Sequence, residues 1–387
     1  MKGLAIALAL TSLVLFLWSY VLYPALLRRL ADGRSPAAAP ASASASSNPA
    51  SVEVIVSAAD EEAVIGSRVA NLLAQAAPTD YRIAIGCDGC ADRTAELARS
   101  ALASAPASRG RVVEFPARRG KAAVVNDLVR GSSASLLVFT DANTRFDPEA
   151  VQALVSAFDD PDVGAVCGRL VFERGAAARE TPESVFWDRE TRLKEDEGAL
   201  GVCLGANGAI YAARRELVGP LRDDTTSMDD FLIPARVARA GRRVVFARDA
   251  VAREDAARDV GAEVSRRFRI GIGAGQVLRR EPWLYAGWRR PLLTFAFLSR
   301  KAARWLAPLL AIAAAVAAVF VPPWRVWGIA ALGLALVALA AARLSPHVSG
   351  LAGRLYYFAV LNVALALGVA AGLAGYSRPA WARTART

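Results

Sequence analysis

The sequence predicts an α/β domain, a mostly parallel sheet with helices on both faces, held between N-terminal and C-terminal transmembrane helices. Two observations support this fold class. Between residues 52 and 141, short apolar strands alternate with amphipathic helices, the order that builds a mostly parallel sheet. Long apolar runs lie at both ends of the 387 residues, and 54% of all residues are hydrophobic, more than an ordinary soluble enzyme contains.

The chain begins with an apolar run over residues 3–27, about the length that one bilayer crossing needs. Arg28 and Arg29 follow at once, which predicts a transmembrane anchor with the adjoining domain on the cytoplasmic side. A cleaved signal peptide is the alternative, although the cleavage-like pattern from Ala41 to Ala43 lies well past the apolar run. The segment around that pattern is rich in Ala, Ser and Pro, which is typical of a flexible linker.

The folded domain starts at Val52, after the linker. Strands are predicted over residues 52–57, 82–87, 111–115 and 136–140, and helices from 60 to 76, from 94 to 103 and from 118 onward. Beyond Asn143 the alternation loosens, and the predicted elements are helices over 148–158, 183–197 and 229–240 and strands over 163–172, 209–213 and 243–247. Ligands of such sheets bind beyond the carboxyl ends of the strands.

The strand from Leu136 ends abruptly in Asp141, and Asn143 follows two residues on. Carboxylate and amide oxygens at a strand tip suit a hard cation and the phosphates that it carries. The alternative is an ordinary strand followed by an Asx turn. Other candidate side chains also fall just past predicted strand ends: Asp60, Glu61, Glu62, Asp88, Asp92 and Lys121.

Two further segments have both a structural and a functional interpretation. Gly205 and Gly208 belong to a glycine-rich turn that starts at Gly201, which indicates close approach to a ligand or merely a sharp bend. Asp229 and Asp230 open a helix, where an acidic pair is either a cap or part of a catalytic site. Residue types and spacing alone leave both interpretations open.

Three further apolar runs fill the C-terminal part, over residues 305–321, 326–342 and 355–375. Basic residues before these runs, including Arg300 and Lys301, agree with a cytoplasmic domain. Three crossings would leave the basic C-terminal tail outside, so either the last run does not cross fully or the tail breaks the positive-inside rule. The net charge of +11, much of it near the membrane ends, favours contact with membrane lipids, and no basic stripe predicts a nucleic-acid partner.

In this order, the motifs resemble those of membrane-integrated family 2 glycosyltransferases, relatives of the cellulose and hyaluronan synthases, across nearly the whole chain. The matching segments are 57–62, 88–94, 120–126, 141–143, 228–230, 266–270, 297–308 and 381–384. Because several spaced segments agree, the resemblance is more specific than any one motif. It implies an A-type, Rossmann-like glycosyltransferase fold that binds a nucleotide-sugar donor.

The resemblance also implies roles for individual residues. Donor binding would involve seven side chains: Glu62, Asp88, Asp92, Lys121, Asp141, Arg266 and Arg269. Asp141 and Asn143 would meet the diphosphate through Mg²⁺ or Mn²⁺. Asp230, beside Asp229, would be the general base. The acceptor cleft would be lined by Gly205, Asn207 and Gly208.

Transfer of a sugar from a nucleotide sugar requires such residues whatever the family. A leaving diphosphate needs a cation or an arginine clamp, and an acceptor hydroxyl needs a base. The segment between the membrane ends contains no histidine, so a carboxylate is the expected base. Asn143 stands where the family has a second acid and Ile270 where it has a tryptophan, which puts metal affinity and processive synthesis in doubt.

The sequence thus predicts an inverting, metal-dependent glycosyltransferase of the inner (cytoplasmic) membrane, acting on a lipid-linked or growing glycan in envelope or exopolysaccharide synthesis. A processive polysaccharide synthase and a catalytically silent nucleotide-binding scaffold are the alternatives. The predicted organisation is an anchor over residues 1–30, a linker over 31–50, a cytoplasmic transferase domain over 51–290, and an interfacial segment with about three membrane helices over 291–387.

Overall fold

The structure, a computed structural model, describes residues 1–32, 51–77, 80–173, 182–255, 260–341 and 350–377. Most of the predicted linker, the membrane-proximal motif at Trp381 and the basic tail lie outside the described residues. Two parts of the molecule concern function: a sheet with helices on both faces, and a group of apolar helices formed by the two ends of the chain.

One sheet contains eight strands in the described part of the chain: β1 (Val52–Ala58), β2 (Tyr81–Asp88), β3 (Gly110–Phe115), β4 (Leu136–Asp141), β5 (Arg145–Phe146), β6 (Val163–Glu173), β7 (Tyr211–Arg214) and β8 (Arg243–Asp255). Their order is β3-β2-β1-β4-β7-β6-β8-β5. The first four strands pair in parallel, and β7 runs antiparallel to both of its neighbours. The carboxyl ends of β1, β2 and β4 therefore meet at one edge of the sheet.

The helices, in chain order, are α1 (Lys2–Leu17), α2 (Tyr23–Ala31), α3 (Ile65–Leu73), α4 (Thr94–Leu102), α5 (Lys121–Arg130), α6 (Ala150–Ser156), α7 (Pro182–Ala199), α8 (Asp229–Arg239), α9 (Val260–Arg280), α10 (Pro291–Ala296), α11 (Ala303–Val319), α12 (Arg325–Ala341) and α13 (Gly350–Leu373). A π-helical segment, Trp18–Leu22, joins α1 to α2, and a second, Phe297–Ala302, joins α10 to α11.

The sheet has a hydrophobic core on each face, because alternate side chains along a strand point to opposite sides. Along β4, Leu136 and Val138 pack in one core, and Leu137 and Phe139 pack in the other. Helices α3, α4 and α6 cover the first core, whereas α5 and α8 cover the second, which continues into the apolar helices. The predicted sheet with helices on both faces is therefore confirmed.

Four helices in the described residues are long and apolar enough to cross a membrane: Lys2–Ala31, Pro291–Val319, Pro322–Ala340 and Tyr356–Leu373. One lies at the N-terminal end and three lie in the C-terminal part, as the apolar runs predicted. The chain thus has the composition of a membrane-associated protein.

The last of these helices packs closely on α9 through glycines. A Cβ at Gly271 of α9 would meet backbone atoms of Gly368 in α13, and a Cβ at Gly372 would meet the carbonyl of Ile272. Small residues let two helix backbones approach in this way. The glycines that interrupt the last apolar run therefore form a packing surface against α9.

Two local predictions were wrong, and one strand was missed. The helix expected from Asp60 begins at Ile65, because Asp60 has a φ of 56° and its carboxylate accepts a hydrogen bond from the Ala91 amide at 2.8 Å. Strand β8 continues well past residue 247, because it pairs with β6 as far as Asp255. Strand β5 was not predicted, since two residues are too few to show a period.

Candidate active site

A lysine lies between two carboxylates at the carboxyl edge of the sheet. Lys121, the first residue of α5, places its Nζ 2.9 Å from Oδ1 of Asp141 and 3.1 Å from Oδ2 of Asp229. Asp141 ends β4 and Asp229 begins α8, so this ammonium joins three elements. Burial opposes the charge, but the carboxylates of Asp141 and Asp229 raise the pKa of Lys121 above its ordinary value. The site therefore holds a fixed positive charge.

Gly208 lies against the same group of side chains. A Cβ at this position would be 3.6 Å from Oδ2 of Asp141, 3.8 Å from Oδ2 of Asp230 and 3.8 Å from Nζ of Lys121. Such contacts are of ordinary van der Waals length, so these four residues surround one small space. The structure thus brings together Lys121, Asp141, Gly208 and Asp230, which the sequence analysis drew from four separate segments. We call the space between these four residues the acidic cleft.

The two acids at the start of α8 differ in their surroundings. Asp229 is buried, and besides pairing with Lys121 it accepts a hydrogen bond from Oη of Tyr211 at 3.2 Å. Asp230 is partly exposed. Burial and the neighbouring Asp229 carboxylate raise the pKa of Asp230 to about 6, although Lys121 opposes this shift. Of the pair, Asp230 has the accessibility and the pKa of a general base.

Asp88 shapes the turn that delivers Lys121. Its side chain is fully buried, and its two oxygens accept hydrogen bonds from the amides of Arg119 at 2.7 Å and Gly120 at 2.8 Å. Gly120 has a φ of 95°, a conformation that favours glycine. The described contacts of Asp88 thus connect it to the cleft through the backbone of residues 119–121.

Glu62 and Asp92 meet in the loops after β1 and β2. Oδ2 of Asp92 accepts from the Glu62 amide at 3.1 Å, and Oε2 of Glu62 accepts from the Arg93 amide at 3.2 Å. Burial disfavours the Asp92 carboxylate, but hydrogen bonds from Thr94 and Glu62 lower the pKa of Asp92 below its ordinary value. These paired loops form a shelf at the carboxyl edge of the sheet, next to the turn that Asp88 holds.

The glycine-rich turn is held by buried polar contacts. Asn207 is 5% exposed, donates to the carbonyl of Gly168 at 2.8 Å and accepts from Nζ of Lys194. Gly205 has a φ of 85°, and a Cβ there would be 3.0 Å from Nζ of Lys301. Of the three predicted acceptor residues, Gly208 borders the acidic cleft, whereas Asn207 fixes the turn.

Sequence reasoning missed Lys301 and Ser57 as site residues. Lys301 lies in the Phe297–Ala302 segment of a candidate membrane helix, yet its Nζ is 5.9 Å from the centre of the Phe231 ring, and its charge opposes the raised pKa of Asp230. The buried Oγ of Ser57 has no hydrogen-bond partner among the described residues, and Ser57 is in register with Asp141. Neither feature has a sequence signal, because both depend on contacts between segments that are distant along the chain.

The residues near Asp141 offer oxygen ligands to a divalent cation. Lys121 takes Oδ1, while Oδ2 faces Gly208, and the Asp141 side chain is 37% exposed. Asn143 is also partly exposed. One carboxylate with an amide fits Mg²⁺ or Mn²⁺ when substrate phosphates complete the coordination.

A second group of potential ligands lies in the shelf loops. The candidate ligand atoms of Asp60, Cys90 and Asp92 lie within 4.8 Å of one another. Both carboxylates already accept hydrogen bonds from backbone amides, Asp60 from Ala91 and Asp92 from Glu62. These contacts explain the cluster as part of the loop structure.

Arg266 and Arg269 lie on α9, and a later turn of this helix contacts the segment just before Asp229 and Asp230. Arg266 forms an ion pair with Glu263 at 3.2 Å. Further along α9, Oε1 of Gln276 accepts from the Thr226 amide at 2.9 Å, three residues before Asp229. The phosphate clamp expected from the two arginines stays a prediction.

The chain resembles known proteins in sequence and in fold. The sequence pattern of the family described as glycosyltransferase-like family 2 matches residues 49–273. Over 126 residues the chain is 33% identical to a protein named N-acetylglucosaminyltransferase from Bradyrhizobium elkanii, and the match covers 31% of this chain and 66% of that protein. The match therefore spans slightly under two thirds of that relative's length.

A solved structure extends the likeness in fold. The mannosyltransferase PcManGT from Pyrobaculum calidifontis, in complex with GDP-Man and Mn²⁺, superposes with a TM-score of 0.65 at 21% identity, over 96% of this chain and 98% of that one. The predicted A-type glycosyltransferase fold is thereby confirmed over nearly the whole chain. Since the family pattern covers more than half of the residues and contains the acidic cleft, this protein belongs to glycosyltransferase family 2.

Proposed function

We propose that this protein transfers a sugar from a nucleotide-sugar donor to a hydroxyl of a lipid-linked or growing glycan, with inversion at the anomeric carbon, in envelope or exopolysaccharide assembly. Membership of family 2 supports sugar transfer from a nucleotide sugar. The observation that carries the finer proposal is the placement of Lys121, Asp141 and Asp230 around Gly208. A positive charge and a carboxylate base at one small space are what a displacement of diphosphate by a hydroxyl requires.

In this proposal Asp230 takes the proton of the acceptor hydroxyl. The acceptor oxygen then forms a bond to the anomeric carbon as the bond from that carbon to the diphosphate oxygen breaks on the opposite face. A positioned general base contributes about 10²–10⁴-fold to such a rate. Lys121 holds a positive charge toward the departing diphosphate, and Asp229 keeps Lys121 in place. A single displacement of this kind gives inversion of configuration.

We assign Asp141 and Asn143 to a divalent cation. A bound cation would neutralise negative charge on the departing diphosphate. The Mn²⁺ in the mannosyltransferase complex supports this assignment, and Mg²⁺ accepts the same oxygen ligands. Because Asn143 is neutral, the cation depends on the phosphates of the donor more than it would at a site with two acids.

The shelf formed by Glu62 and Asp92, together with the turn held by Asp88, is assigned to the nucleotide. Ser57 adds a hydroxyl that lacks a partner among the described residues, next to Asp141. The relative named N-acetylglucosaminyltransferase and the GDP-Man complex give two donors to test first: a nucleotide-linked N-acetylglucosamine and GDP-mannose.

We place the domain over residues 51–290 on the cytoplasmic face of the inner membrane. The four apolar helices support membrane association, and Arg28 and Arg29 follow the first of them. Basic residues concentrate on the cytoplasmic side of membrane proteins.

The direct test is an incubation of membranes containing the protein with a panel of labelled nucleotide sugars. We expect label from one donor in the lipid or short-glycan fraction, incorporated about 10²–10⁴-fold more slowly with Asp230→Asn. Asp162→Asn is the matched control, because Asp162 is 73% exposed and lies at the opposite end of the sheet. Label in long polymer alone would instead identify a processive synthase. Donor binding without any transfer would indicate a silent scaffold.

A further inference from the structure

A pocket of about 680 Å³ lies between the N-terminal helix, α7, α11 and α13. One part of its wall is apolar and includes Val21, Phe358 and Leu361. Another part is cationic and includes Arg28 and Arg192. Neither the acids of the cleft nor the shelf residues line it, so this pocket is separate from the catalytic site.

The cationic part has more positive than negative charge. Five arginines line the pocket against two acids, Glu190 and Asp196. Arg304 pairs with Glu190 at 2.7 Å, and Arg267 with Glu263 at 3.0 Å. The other three arginines have exposed side chains and form no ion pair among the described residues: Arg28, Arg189 and Arg192. Arg28 nevertheless interacts with the Asp196 carboxylate. Guanidinium groups in excess at one place are suited to phosphate.

The pocket also lies near the ends of two candidate membrane helices. Arg28 is in the basic last turn of the Lys2–Ala31 helix, and Phe358 lies near the start of the Tyr356–Leu373 helix. Phe358 and Val21 are 46% and 53% exposed, although both are large and apolar. The apolar wall therefore belongs to helices assigned to the membrane, and the arginines lie at the end where those helices become polar.

We propose that this pocket binds a lipid phosphate, meaning a phosphate ester attached to a long apolar chain. The phosphate contacts Arg28, Arg189 and Arg192, and the first part of the chain lies against Phe358 and Leu361. A pocket of this volume is in the range of ordinary small-molecule sites, and a free phosphate would leave the apolar wall uncovered. Both an isoprenoid phosphate and an anionic glycerophospholipid have this chemistry.

The pocket borders the cleft through α7. Glu190 lines the pocket, and Lys194, one helical turn further on, contacts Asn207, which precedes Gly208. A lipid held here would thus lie one helix layer from the proposed base. Binding itself does not depend on the proposed transfer reaction, so it can be tested with inactive protein.

The test is titration calorimetry of the full-length protein in detergent. The probes are farnesyl phosphate, dioctanoyl phosphatidylglycerol, dioctanoyl phosphatidylcholine and inorganic phosphate. We expect one or both of the first two to bind at least tenfold more tightly than the last two. Preference for farnesyl phosphate would identify an isoprenoid carrier, and preference for phosphatidylglycerol a bilayer lipid. Equal binding of inorganic phosphate, or a preference for phosphatidylcholine, overturns the proposal.

Two variants assign the binding to this pocket. Arg189→Gln with Arg192→Gln should weaken lipid-phosphate binding at least tenfold. The control, Arg130→Gln with Arg242→Gln, removes the same charge from residues that do not line the pocket, so its lipid-phosphate affinity should equal that of the wild type. Ala25→Trp keeps every arginine but fills the pocket at an exposed position, and should also abolish binding. Unchanged binding by the Arg189 and Arg192 pair, in protein that unfolds at the control's temperature, overturns the site.

Discussion

The two halves of the cleft are held in place by different parts of the molecule. The N-terminal half-site, residues 57–143, is built from strand ends and adjoining loops, as when Asp88 binds the amides before Lys121. The C-terminal half-site, residues 201–230, is held from the membrane side, where Arg300 donates to the carbonyl of Leu204 at 2.9 Å. The first half is therefore held mainly by the sheet and its loops, whereas the second also depends on the apolar helices.

Buried charges make the connection to the membrane side. Arg300 is fully buried and pairs with Glu190 and Glu197 of α7. Glu197 also accepts from the Leu204 amide at 2.9 Å and from Oη of Tyr23, in the N-terminal helix, at 3.1 Å. Two candidate membrane helices, α7 and the glycine-rich turn thus share one network, and the position of the turn depends on all of them.

The largest effect should come from Asp230→Asn, in the C-terminal half-site. An amide cannot take the acceptor's proton, so kcat should fall by about 10²–10⁴-fold. Affinity for the nucleotide should stay within a few-fold, because the base acts on the acceptor and not on the donor. Initial-rate measurements and calorimetry with the nucleotide check the two parts. Turnover equal to that of the Asp162→Asn control would remove Asp230 from the mechanism.

The same contrast explains what the sequence could predict. Strand ends are visible as apolar runs that stop at polar residues, so Asp88, Lys121 and Asp141 could be placed at one edge from their spacing alone. The C-terminal half-site depends on contacts between distant segments, such as Arg300 with Glu197, 103 residues apart. Lys301 lies in a basic, membrane-flanking segment, where positive charge is already expected from the positive-inside rule. No periodicity indicates that such a residue turns toward a cleft.

Arg300→Met should destabilise the C-terminal half-site and the whole fold. Removing one partner of a buried ion pair costs about 3–5 kcal/mol, and here the Glu197 carboxylate would stay buried without its arginine, whereas Glu190 would keep Arg304. Thermal unfolding in detergent measures the loss. Adding Glu197→Gln to the same protein removes that uncompensated charge and should restore much of the stability. If the double variant is no more stable than Arg300→Met, the loss arises from packing rather than from uncompensated charge.

Asp141→Ala tests the N-terminal half-site. Removing its carboxylate should weaken cation-dependent nucleotide binding at least tenfold, about 1.4 kcal/mol, while nucleotide binding without a cation changes less. Calorimetry with and without Mn²⁺ separates the two contributions. Stability should change little, since Lys121 keeps its ion pair with Asp229. Equal nucleotide affinity of the wild-type protein with and without Mg²⁺ or Mn²⁺ would contradict the cation assignment.

The smallest expected effect is on the pH dependence of kcat/KM, which reports the pKa of a base in the free protein. The pKa of Asp230 is raised to about 6, and only its carboxylate form is a base, so kcat/KM should rise about tenfold per pH unit below pH 6 and then level off. Asp229→Asn removes the neighbouring negative charge, so the rise should move to lower pH. Asp92→Asn, in the shelf, should leave its position unchanged, and a rise that does not move with Asp229→Asn would mean that another group titrates.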